Sequence, residues 1–83
     1  MTEPDEARTQ TETLDLLRRK CSTALDVYIA LAKLGCELLT AVKDLPVSEH
    51  QRNEILSHRR RELHAHSDYT KARSKLWAFL NRV

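Results

Sequence analysis

Ten residues in the first half of the chain, Leu14, Leu17, Cys21, Ala24, Tyr28, Leu31, Gly35, Leu38, Val42 and Leu45, recur at alternating spacings of three and four. A repeat of about 3.5 residues, held this long without a break, specifies a long helix packed in coiled-coil fashion. With Tyr28 at heptad position a, these residues fill a and d. Leu25, Ala32 and Leu39 then fill e, Val27, Leu34 and Ala41 fill g, and Ile29 and Cys36 fill b. Only a strip through Arg19, Asp26, Lys33 and Thr40 at f, with Thr23, Glu37 and Asp44 at c, is polar. A helix apolar over most of its circumference needs neighbours on several sides, and one partner helix cannot supply them.

Residues 1–8 are polar and hold Pro4, which reads as a disordered lead before a helical domain over residues 9–83. Thr9 and Glu12 have the spacing of a capping box, so helix 1 is expected from Gln10. It should run to about Asp44, because Pro46 lacks an amide donor and pushes Leu45 out of the helical region. Ser48 and Gln51 repeat the capping spacing, and Glu49 suits the positive end of a helix dipole. A second helix over residues 49–81 follows. The connection through Leu45, Pro46 and Val47 is short enough to make the two helices antiparallel neighbours. Ile55, Leu56, Leu63, Tyr69, Ala72, Leu76, Trp77, Phe79 and Leu80 are the expected buried set of helix 2.

In such a hairpin facing residues have numbers summing to about 93, given a turn near Pro46. Leu76, Trp77 and Leu80 then lie beside Leu14 and Leu17, Tyr69 beside Ala24, and His58 or Arg59 beside Gly35. Glycine costs about 1 kcal/mol of helix propensity against alanine, so Gly35 is expected to admit a bulky neighbour. The competing expectation is a kink there that splits helix 1 and gives a three-helix bundle. Tyr28 should meet Glu62 or His66, because a buried phenol needs a polar partner.

One Gly and two Pro in 83 residues leave little material for hairpin turns or phosphate-cradling loops, so the chain is all-α. At this length a single core is marginal without staples, metals or oligomerisation. Cys21 and Cys36 stand about 22 Å apart on one helix at about 1.5 Å per residue, too far for a disulfide. Two free thiols and no signal peptide predict a reducing, cytoplasmic setting. Asp26, Lys33 and Glu37 interrupt the apolar run too often for a membrane span.

Candidate chemistry is sparse. Arg59, Glu62, His66, Tyr69 and Arg73 follow helical spacing along one face of helix 2, either lining a polar site or forming a half-exposed flank of ion pairs. His58, Glu62 and His66 are each four apart, but three ligands spread over eight residues rotate around the helix, and no metal or other cofactor is expected. Cys21 and Cys36 lie on apolar faces, where thiols are inert. With no nucleophile constellation and no strand to carry one, no enzyme activity is expected.

Residues 1–15 carry five acids and one base, whereas residues 46–83 carry eight bases and four acids. Arg52, Arg59, Arg60, Arg61, Lys71, Arg73, Lys75 and Arg82 make helix 2 the basic element, and its polar face, with Arg52, Arg59, Arg60, Glu62, His66, Tyr69 and Arg73, offers a nucleic-acid-binding alternative, RNA ahead of DNA. Glu54, Glu62 and Asp68 interrupt it, and few aromatics are free for stacking. Helix 1 holds nineteen apolar residues between Gln10 and Leu45 against twelve between Glu49 and Val83, so a hairpin alone leaves Leu25, Ile29, Ala32, Cys36 and Leu39 uncovered. The expectation is therefore a homodimeric four-helix bundle, acting as a non-enzymatic scaffold or a small regulator that engages a protein partner. If helix 1 pairs antiparallel with its mate about Tyr28 and Ile29, Cys21 faces Cys36 of the other subunit.

Overall fold

The computed structural model describes residues 4–82, with side chains from Ala7 onward. Two helices, α1 (Pro4–Val42) and α2 (Glu49–Arg82), fold back on each other as an antiparallel hairpin. The rod measures 70 × 16 × 14 Å with a radius of gyration of 19.2 Å. A globular chain of this length would have a radius of about 12 Å. α1 passes through Gly35 without interruption, which removes the three-helix alternative.

α1 is already helical at Pro4, the first described residue, ahead of the expected start at Gln10. Of the lead expected over residues 1–8, residues 1–3 lie outside the described residues, and 4–8 are helical. Thr9 consequently sits inside the helix, where its carbonyl accepts from Thr13 Oγ1 at 2.9 Å, and no cap is required there. Glu12 pairs instead with Arg8 at 3.3 Å, an exposed contact of small energetic weight.

The second helix start forms as its sequence dictates. Gln51 N–H donates to Ser48 Oγ at 3.1 Å while Ser48 N–H donates to Gln51 Oε1 at 3.0 Å, a reciprocal capping box. At the other side of the turn, α1 ends at Val42, two residues before the expected Asp44, and Leu45 N–H donates to the Val42 carbonyl at 3.2 Å in the turn that precedes Pro46.

Every α1 seam residue from Leu14 to Val42 is half-buried, or fully buried in the case of Gly35. α2 answers with Gln51, Ile55, His58, Glu62, Ala65, Tyr69, Ala72, Leu76 and Phe79, again at alternating spacings of three and four and again less exposed than their neighbours. This corrects the expected buried set of helix 2. Leu56, Leu63, Trp77 and Leu80 lie outside the seam and are about half or more exposed, Trp77 at 62%. The packing face is fixed by the heptad phase shared with α1, and that phase runs through polar residues in the middle of α2. Among the described residues only Gly35, His58 and Ala65 are buried, and no side chain is completely enclosed. Two helices alone give one line of contact rather than a core.

Candidate interaction surfaces

The centre of the seam is polar. His58, only 4% exposed, sits opposite Gly35, as the facing rule requires. Its Nε2 lies 2.7 Å from the Leu31 carbonyl and 3.2 Å from Glu62 Oε1. Both neighbours are acceptors, so Nε2 carries the proton and donates. The Leu31 carbonyl points along α1 towards Gly35, and it is reachable because Gly35 has no side chain to cover it. A Cβ at Gly35 would fall on the Glu62 carboxylate and 3.2 Å from His58 Nε2. Glu62 Oε2 in turn accepts from Arg59 at 3.3 Å. Glycine, histidine and glutamate thus form one interlocked layer. Sliding α2 by one heptad would carry Glu62 along with its α2 partners His58 and Arg59, but it would take His58 from the Leu31 carbonyl and press the pair against a side chain where Gly35 leaves space, an overpacking that costs about 1–3 kcal/mol. The layer fixes register.

The seam separates two flanks. On one side lie the e and b positions of both helices, an arrangement confirmed by the hollow that Leu39 of α1 shares with Leu56 and Arg59 of α2. Ile29, Leu39, Leu56, Leu63, Trp77 and Leu80 are all exposed on this apolar flank, and Cys36 joins them. Leu25 and Ala32 are half-buried at its inner edge. Two of its arginines are held by the chain itself, Arg59 on Glu62 and Arg73 over the rings of Tyr69 and Trp77 at 5.5 and 5.8 Å from their centroids. His66 meets the Tyr28 ring edge-on, with centroids 5.1 Å apart. The expected Tyr28–His66 approach is present, as a ring contact.

Among the described residues, the opposite flank exposes only Leu16, Val27 and Leu34 of the large apolar side chains. Between α1 and α2 it forms two adjoining hollows of about 340 Å³ each, sharing Val27, Ala65 and Asp68.

The polar face read from sequence is divided by this geometry. Glu62 and Tyr69 belong to the seam, Arg59 and Arg73 are committed as described, His66 is on Tyr28, and Arg52 is exposed near the turn. Arg60 lines the opposite flank. His58 and His66 point to different partners, and among the described residues no group of three or more His, Cys, Asp or Glu side chains is placed to hold a metal ion. No helix of the described residues is long and apolar enough to cross a membrane.

Sequence reasoning placed His58 or Arg59 beside Gly35 but left His58 out of the buried set of helix 2, and it missed Ala65 altogether. The signal was present: subtracting each α1 seam number from 93 returns every α2 seam residue from Phe79 to Gln51. It also missed the joint role of Arg19 and Lys20, which only the fold brings opposite Arg61, Lys71 and Lys75. Comparison with known protein families, with curated proteins and with solved structures finds no match to this chain.

Proposed function

We propose that the chain is a non-enzymatic self-association module, a homodimer closed through the apolar flank into a four-helix bundle. The observation that carries this reading is the alignment of Leu56, Leu63, Trp77 and Leu80 of α2 with exposed Ile29, Cys36 and Leu39 of α1, edged by half-buried Leu25 and Ala32, on one side of the hairpin. Surface area supports it. The hairpin exposes 6961 Å², roughly 1,900 Å² more than the scaling for a compact monomer of its mass. A stable interface takes about 800 Å² from each partner, so dimerisation fits within the excess. Exposed contiguous apolar patches of this kind mark association sites.

An RNA-binding role has less support. Arg59 is neutralised by Glu62, and Arg73 lies over two of the four aromatic rings that a nucleic acid would need for stacking. Sedimentation equilibrium at micromolar concentration decides the main reading. A species of twice 9.6 kDa is expected, and a folded monomer overturns it.

A further inference from the structure

The flank left outside such a bundle is itself built as a receptor. Ala24, Val27 and Leu31 of α1 with Ala65 of α2 make an aliphatic floor, and Leu17 with Ala72 extends it towards the open end of the hairpin. From Leu17 to Leu31 the trough is about 21 Å long at ~1.5 Å per residue, the span of four helical turns. Alanines on its floor allow a third backbone to approach closely. Its rim carries six bases, Arg19, Lys20, Arg60, Arg61, Lys71 and Lys75, against one acid, Asp68. Among the described residues none of those six bases has an ion-pair or hydrogen-bond partner, and Asp68 is already 3.6 Å from His64. The arginines of the apolar flank that adjoin Glu62 and Trp77 are engaged by their own chain; these bases are not.

We propose that this trough docks an acidic amphipathic helix of a partner protein, with apolar residues at i, i+3, i+4 and i+7 on the floor and Glu or Asp along both edges. Charge complementarity selects the acid, and the aliphatic floor selects a helix over a polyanion. A nucleic acid would need several ring faces for its bases, and among the described residues no Phe, Tyr or Trp lines the trough; its one ring is that of His64, which lies beside Asp68. The helix-in-groove mode of recognition has these two components, apolar anchors for affinity and edge charges for orientation. Docking here leaves the apolar flank untouched, so it does not depend on the chain being a dimer.

The test is fluorescence anisotropy on the full chain with three labelled probes. They are a synthetic amphipathic helix of about 18 residues with Leu on one face and Glu on its edges, the same peptide with Lys at the edges, and a single-stranded RNA of matched charge. The Glu peptide should bind at least tenfold tighter than the Lys peptide and weaken with salt. Arg61→Glu with Lys71→Glu should weaken it at least tenfold, while Trp77→Ala on the other flank should leave it unchanged. Both variant sites are exposed, and circular dichroism confirms that helical content is kept. Equal binding of the two peptides, tighter binding of RNA than of the Glu peptide, or no Glu-peptide binding below about 1 mM each overturns the proposal.

Discussion

The two flanks of this hairpin are made by the same two helices, yet they present opposite solutions to the same shortage of core. One exposes Leu, Ile and Trp side chains and binds two of its own arginines; the other exposes unpartnered Lys and Arg above a floor of aliphatic residues. The difference arises from heptad phase. Once a and d are fixed, the e and b positions fall on one side and the g and c positions on the other, and the sequence loads them differently. A surface can be sticky to itself on one side and selective for a different partner on the other without any change of fold.

The most forceful way to break this comparison is to place charge on the apolar flank. Leu63→Glu combined with Trp77→Glu should weaken self-association about a millionfold and so abolish it at micromolar concentration, since two symmetry-related copies each forfeit about 2 kcal/mol for each of two large side chains. Sedimentation equilibrium would show the mass halved. Val27→Glu with Leu34→Glu, the matched pair on the opposite flank, should leave the mass unchanged, and loss of the dimer in that variant would erase the distinction between flanks.

A seam variant separates packing from association. Gly35→Leu fills the notch that Glu62 and His58 occupy, and overpacking of this kind costs about 1–3 kcal/mol. Thermal melting followed by circular dichroism should fall at every protein concentration, whereas the flank variants should lose only the concentration-dependent part. Weaker still, Ser48→Ala removes one half of the capping box at the start of α2 and should cost about 1 kcal/mol, equally with or without the flank substitutions. The smallest effect is expected where the apolar flank meets the seam. Tyr28→Phe keeps the ring contact with His66 and should stay within about 0.5 kcal/mol, while His66→Ala loses that contact at about 0.5–1 kcal/mol. Chemical denaturation of the two variants side by side reads the difference.

How much of this was legible depended on the helix. α1 wrote its packing face in apolar residues, so Leu14 through Val42 could be read directly, as could the turn at Pro46 and the Ser48–Gln51 box. α2 wrote its face partly in His58, Glu62 and small Ala65, which a search for large apolar side chains passes over while it gathers Leu56, Leu63, Trp77 and Leu80. Those four lie off the hairpin seam. The trough was illegible for a different cause: Arg19 and Lys20 stand far in sequence from Lys71 and Lys75, and only the antiparallel fold makes them one rim.

The polar layer also bears on the order in which the hairpin closes. Every contact between α1 and α2 shares the same turn, so the chain length that must be closed grows steadily from the turn to the open end. Closure entropy rises with that length, which makes zipping from the turn outwards the cheapest route. His58 and Leu31, only 27 residues apart in sequence, meet well before Leu14 finds Phe79. A hairpin started in the wrong alignment therefore finds neither the Leu31 carbonyl for His58 nor the Gly35 notch for Glu62 while most of its apolar length is still open, and it can unzip before the long outer half commits. Folding kinetics of Glu62→Leu would reveal this as a slow, misaligned phase absent from the wild-type chain.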